Sequence, residues 1–135
     1  MILTIDTFAW VEIFRGSRIG TRAADAVRSA EACFTPAVVL AEVASVGLRS
    51  GLPDEVLLRE LRAIREASEV VPINDQIAIA GAQRTGELRR SARSSRLPPP
   101  GLADGLVLAT SRLSRSRLLT GDQHFRACSE TVWLD

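Results

Sequence analysis

Four acidic residues stand where a carboxylate is hard to accommodate. Asp6 ends the apolar run ILTI, Glu42 lies inside PAVVLAEVASVGL, Asp104 inside PGLADGLVLAT, and Asp122 follows RLLT in LLTGDQHF. Burying an unpaired charge is penalised by several kcal/mol, so each acid needs a cap, a cationic partner or a purpose. Asp6 suits the N-cap of a following helix. Asp104 suits the first turn of another, where the helix dipole favours negative charge, and Asp122 suits a Gly-Asp turn. Glu42 has apolar or small neighbours on every side, so no rotation of its helix gives it a polar face. For it the alternatives are a buried pair with an arginine, or function.

Gathered together, four carboxylates would repel one another and raise each other's pKa. A hard divalent cation resolves this. Mg²⁺ or Mn²⁺ takes oxygen ligands in octahedral geometry and keeps several waters. Such a centre can activate water and stabilise the attacking and leaving oxygens of a phosphodiester displacement. Zinc is excluded, because one histidine (His124) and two distant cysteines (Cys33, Cys128) cannot build its site. The cysteines read as small core residues. Glu55, Glu60, Glu66 and Glu69 lie among arginines on or just beyond an amphipathic helix and read as a solvated face.

The elements that must position the four acids follow from periodicity and caps. Residues 2–5 read as a strand, 7–15 as a helix stopped at Gly16, and 22–31 as a more polar helix. Residues 32–35 form a second strand. Thr35 caps the next helix with Pro36 at its first position. After the break at Gly51-Leu52-Pro53, Asp54 caps an amphipathic helix over 55–67. Residues 70–73 form a third strand, and Asn74 or Asp75 starts a helix reaching about Arg90. SARSSRLPPPG, 91–101, reads as a linker. A helix over 102–113, a strand over 117–120 and a weak strand over 131–134 complete the chain. The strands are short, almost wholly apolar, and alternate with helices, as in a parallel sheet covered on both faces. The expected class is α/β: one domain over 1–135, a three-layer α/β/α sandwich with a short, mostly parallel central sheet of four to five strands. In such sheets ligands sit at the carboxyl ends of the strands. Asp6 and Asp122 lie at such ends, Asp104 opens the helix before the fourth strand, and Glu42 lies one to two turns into the helix after the second. One rim would then carry all four.

The chain has 135 residues, 46% hydrophobic and 24% charged, as in a soluble globular domain. No apolar run reaches the ~18 residues of a membrane span. The start MILTIDTF has no basic segment of a secretory signal, so a cytoplasmic location is expected. A net charge of +1 names no partner. All 17 basic residues are arginine, for which codon bias in a GC-rich genome is the simple cause. The lack of lysine excludes a Walker-A phosphate loop and Schiff-base catalysis. With no Tyr, two Trp and four Phe, no base-stacking platform is visible.

An apolar strand ending in Asp-Thr, Ala-Glu-Val on an apolar helix, Leu-Ala-Asp before an apolar helix with Ala-Thr, and Leu-Leu-Thr-Gly-Asp-Gln-His-Phe occur in that order over essentially the whole chain. Together they resemble the PIN-domain nucleases, and among these the VapC-type ribonuclease toxins. The resemblance implies a PIN-like fold and a Mg²⁺-dependent endoribonuclease, with Mn²⁺ as the alternative ion, that leaves a 5′-phosphate and a 3′-hydroxyl. Asp6, Glu42, Asp104 and Asp122 match its catalytic acids. Asp6 and Asp104 would be the main metal ligands, Asp122 would complete binding through water, and Glu42 would position or deprotonate the attacking water. Thr7 and Thr120 match supporting hydroxyls, Thr120 orienting an acid or water. Phe125 matches a packing aromatic, and His124 is structural or peripheral. Gly105 departs from the family's usual Ala and is expected to loosen its helix start by ~1 kcal/mol.

The resemblance also implies a homodimer, an RNA substrate and a cognate antitoxin protein whose tail occupies the cleft. The 55–67 helix and the helices after Asp6 are the expected contact surfaces. Arg89, Arg90, Arg93 and Arg96 lead toward Asp104, and Arg93 and Arg96 are expected to hold RNA phosphates; Arg115 and Arg117 read as plain surface. The alternatives are a housekeeping RNA-processing PIN nuclease and a non-catalytic PIN-like module that binds RNA or protein. A phosphatase or phospho-acceptor built on Asp6 is disfavoured, since Phe8 stands where a second Asp is needed and no lysine is available.

Overall fold

The computed structural model describes residues 1–135. In chain order the elements are β1 (Ile2–Ile5), α1 (Thr7–Arg15), α2 (Arg18–Ser29), β2 (Ala32–Pro36), α3 (Ala37–Arg49), α4 (Asp54–Ala67), β3 (Glu69–Val71), α5 (Asp75–Ser94), α6 (Leu102–Leu113), β4 (Arg117–Thr120), a short 3₁₀ turn (Gln123–Phe125) and β5 (Thr131–Trp133). The five strands make one sheet in the order β3-β2-β1-β4-β5, every pair parallel. Six α-helices flank it. This is the α/β class expected from the sequence, with all five strands present.

The central strands explain the apolar runs. Leu3, Ile5, Leu118 and Leu119 are each 1% exposed or less, as strands covered on both faces must be. The chain places β2 on one side of β1 and β4 on the other. The connections therefore diverge between β1 and β4, and such a switch point opens a crevice at the carboxyl ends. Ile5 pairs with Leu119, so Asp6 and Thr120 leave the sheet level with each other. The Asp6 N–H donates to the Leu119 carbonyl at 3.2 Å, carrying the ladder one residue past β1.

Helix α6 is buried without interruption from Gly105 to Ser111, its Thr110 hydroxyl satisfied by the Leu106 carbonyl at 2.8 Å. It lies tightly on α5. A Cβ on Gly105 would stand 2.0 Å from Thr85 Oγ1 and 2.3 Å from the Gly81 carbonyl oxygen. Gly105 thus permits the helix contact, and the expected loosening is replaced by close packing.

Several boundaries differ from expectation, each for a local reason. Helix α2 starts four residues early because Ser17 caps it, its Oγ accepting the Gly20 N–H at 2.9 Å. Gly20 is required there, since a Cβ would lie 1.9 Å from the Glu12 carbonyl oxygen of α1. Thr35 does not cap α3; its hydroxyl accepts Trp10 Nε1–H at 3.1 Å and meets Ser68 Oγ at 2.7 Å, while Pro36 takes the N-cap. Asp54 is the first residue of α4, after Pro53. Strand β3 ends at Val71 because its partner β2 ends at Pro36, opposite it. Helix α5 continues to Ser94, so 91–94 is helix rather than linker. It stops at Arg96, which takes the left-handed conformation (φ 57°) that glycine usually supplies. The Leu97 N–H then donates to the Ala92 carbonyl at 2.8 Å and the Arg96 N–H to that of Arg93 at 3.3 Å, a Schellman closure. No helix is long and apolar enough to cross a membrane.

Candidate metal centre

Asp6 is 3% exposed and occupies the N-cap position of α1, yet its side chain caps no helical N–H. Instead Thr120 Oγ1 donates to Asp6 Oδ2 at 2.7 Å. The same hydroxyl oxygen accepts the Asp122 N–H at 3.0 Å. Burial pushes the Asp6 carboxyl up to about 7; the Thr120 hydroxyl opposes the rise, and the charges of Asp122 and Asp104 add to it.

Asp104 lies in the first turn of α6, where its Oδ2 accepts the Gly101 N–H at 3.3 Å. Part of its expected capping role is therefore present. Its carboxyl is nonetheless pushed up to about 6, by burial and then by the charges of Asp122 and Glu42, with His124 and the Gly101 N–H pulling the other way. Glu42, half-buried on α3, accepts a 2.6 Å hydrogen bond from Thr7 Oγ1 on its Oε1. Asp6, Glu42 and Asp104 take part in none of the chain's salt bridges. The buried arginine pair that would have explained Glu42 structurally is absent.

Asp122 caps the 3₁₀ turn, its Oδ1 accepting the His124 N–H at 2.9 Å and meeting His124 Nδ1 at 2.9 Å. His124 Nε2 contacts the Pro98 carbonyl at 2.7 Å. A carbonyl only accepts, so Nε2 carries the proton. Partial burial disfavours the imidazolium, but the Pro98 carbonyl and the charges of Asp122 and Asp104 outweigh it and raise the His124 pKa. His124 thereby ties the proline loop to the acidic rim, a structural role. Phe125 is fully buried packing.

The four acids line one open cleft of about 340 Å³ together with Thr7, Phe8, Val11, Glu12, Arg15, Val46 and Arg49. Three of these charged residues were not anticipated: Glu12, Arg15 and Arg49. The signal existed in the spacing. Thr7, Val11 and Arg15 recur every four residues on α1, and Glu42, Val46 and Arg49 stand four and three apart on α3, so each set shares one helix face. Arg93 and Arg96 do not line the cleft; both are exposed, one in the last turn of α5 and one just beyond. The extra helical turn of α5 carries them there. Only the following segment reaches the rim, through the Pro98 carbonyl and the Gly101 N–H.

No three His, Cys, Asp or Glu side chains converge closely enough to form a ready ligand cluster. A Mg²⁺-type ion, however, retains several waters and needs only one or two direct carboxylates. The cleft's carboxylates offer only oxygen donors, and those of Asp6 and Asp104 have raised pKa values and form no salt bridge, a chemistry compatible with such an ion. Beside the cleft runs an apolar groove of about 350 Å³ bounded by α1, α3 and α4, lined by Phe14, Val43, Leu52 and Val56 among others. The two depressions share Val11, Arg15 and Val46.

The family described as PIN domain matches residues 3–130. No curated protein matches the chain. Among solved structures it is similar to VapC20 of Mycobacterium tuberculosis, described as a sarcin-ricin loop cleaving toxin (18% identity, 94% of this chain and 95% of that chain, TM-score 0.70). It is also similar to a chain of a toxin–antitoxin complex from Klebsiella pneumoniae (21%, 96% and 95%, TM-score 0.67). A third is VapBC2 of Rickettsia felis bound to a DNA fragment from its promoter (18%, 98% and 97%, TM-score 0.66). At these identities the likeness is one of fold.

Proposed function

The chain belongs to the PIN-domain family, and on that premise we propose that it is a Mg²⁺- or Mn²⁺-dependent endoribonuclease of the VapC toxin type. One observation carries the reading: four carboxylates from four separate segments line one cleft at the β1/β4 switch point, and three of them have no salt-bridge partner. A fold has no stabilising use for such a cluster, since its members destabilise one another.

Asp6, Asp104 and Asp122 would hold the ion. When bound, it supplies the positive charge that stabilises a phosphodiester attacked by water. The chain's own groups do the rest. Thr120 fixes Asp6 Oδ2 and the Asp122 backbone with one hydroxyl. Thr7 anchors Glu42 through Oε1, leaving Oε2 to orient a water and take its proton. The water oxygen bonds to phosphorus, the bond to the 3′ oxygen breaks, and that oxygen takes up a proton from solvent, giving a 5′-phosphate and a 3′-hydroxyl.

A partner protein fits the groove beside the cleft. An amphipathic helix laid on Phe14, Val43, Leu52 and Val56 would use a helix-in-groove mode, and its continuation past Val11 and Val46 would enter the cleft. Related folds occur in toxin–antitoxin complexes, which supports an antitoxin as that partner. A second reading, a PIN module that binds RNA without cutting it, has one observation in its favour: the lack of a converged ligand cluster.

The deciding experiment is cleavage of total RNA with Mg²⁺ or Mn²⁺, with EDTA, and by Asp104→Asn. Divalent-dependent cleavage lost in the variant supports the nuclease. RNA binding with no cleavage in either metal selects the second reading.

A further inference from the structure

Five carboxylates line the cleft, counting Glu12, against two cations, Arg15 and Arg49. A polyanionic strand entering such a space is repelled unless some cations hold its phosphates. Arg15 is engaged only by Glu12, at 3.5 Å, and its side chain remains 59% exposed. Arg49 makes no salt bridge; its Nη1 donates to Ser45 Oγ at 3.0 Å, and the residue is exposed. Both guanidiniums therefore retain donors for a ligand. They close α1, which follows Asp6, and α3, which carries Glu42. Arg49 lies seven residues beyond Glu42 and Arg15 nine beyond Asp6, roughly 10 and 14 Å of helix at 1.5 Å per residue.

Resting on the nuclease reading, we propose that Arg15 and Arg49 hold RNA phosphates flanking the cleaved bond, so that the strand leaves the carboxylates along α1 and α3 rather than past the loop after α5. Guanidinium groups suit this task because they offer paired N–H donors to phosphate oxygens. The strand then crosses the mouth of the apolar groove, where Arg15 also stands. A protein seated in that groove and the RNA compete for the same cation.

The test measures binding of a short fluorescent single-stranded RNA to the full chain across a salt series, with steady-state cleavage in Mg²⁺. Arg15→Gln and Arg49→Gln should each weaken binding about tenfold and lower the salt slope by about 0.7, the value for one lost single-strand contact. The loss should fall on KM, with kcat little changed. Arg15→Lys and Arg49→Lys should restore most of the slope, because they keep the charge. Arg115→Asn, a charge removed before β4 at the opposite end of the sheet, serves as the comparison. Unchanged slopes in the Gln variants, or a loss equal to that in Arg115→Asn, overturn the proposal while leaving the nuclease intact. Wild-type protein that neither binds nor cleaves RNA overturns both, and is told apart by failing before any variant is made. Folding of each variant is checked by circular dichroism and thermal melting.

Discussion

Thr120 Oγ1 stands 2.7 Å from Asp6 Oδ2 although 114 residues separate them in sequence. The hydroxyl has two duties, since it also accepts the Asp122 N–H. Thr120→Val keeps the shape and removes both hydrogen bonds. It should cost about 1–3 kcal/mol for the buried groups left unpaired and reduce cleavage strongly. Thr120→Ser should recover most of both. Equal stability of wild type and the Val variant in urea titrations would contradict this account.

The raised carboxyl of Asp6 sets the direction of pH dependence. Its folded value of about 7 lies above the ordinary 3.8, so between these values the unfolded chain gives up its proton first. Its favourable contribution is complete below about pH 4 and is lost as pH rises to 7. Three pKa units correspond to about 4 kcal/mol as an order of magnitude. Asp104, raised to about 6, acts in the same direction over a narrower range. Metal-free protein in EDTA should thus melt at a lower temperature at pH 8 than at pH 5. Glu130, held low against its burial by Arg112, acts oppositely, and only at more acid pH.

Removing one of the repelling charges should relieve part of this. Asp6→Asn can still accept the Thr120 hydrogen bond, and in EDTA at pH 8 it should melt above wild type. Saturating Mg²⁺ should raise the wild-type melting temperature, and raise it more at pH 8 than at pH 5, whereas Asp6→Asn should lose most of that shift together with cleavage. A full Mg²⁺ shift in the variant would remove Asp6 from the centre.

Gly105 offers a test that runs against helix propensity. In an isolated helix Gly→Ala gains about 1 kcal/mol. Here the new methyl would meet Thr85 Oγ1 and the Gly81 carbonyl at 2.0 and 2.3 Å, so Gly105→Ala should destabilise by about 1–3 kcal/mol and displace Asp104 beside it. Calorimetry showing a stabilised variant would mean that α5 and α6 separate more readily than their packing indicates.

Much of this arrangement was legible in the chain. Short apolar runs bounded by helices gave the parallel sheet, and acids isolated among apolar residues pointed to the cleft. What escaped was held by tertiary contacts or by unusual punctuation. Thr35 looked like a cap because its long-range partners, Trp10 and Ser68, leave no local mark. Helix α5 runs past its expected end because an arginine, not a glycine, takes the left-handed stop, and Arg93 and Arg96 therefore lie outside the cleft lining. Arg15 and Arg49 are readable from helical spacing, which places them on the faces of Thr7 and Glu42 at the ends of those helices.

Helix α6 joins two matters that many enzymes keep apart. Asp104 is followed at once by seven consecutive buried residues, so this acid is mounted on the most deeply embedded segment of the molecule rather than on an adaptable loop. Its position cannot drift independently of the interior. On the proposed nuclease reading, substitutions selected for tolerance of heat or crowding in that interior will register as altered reactivity, and the two properties are inherited together.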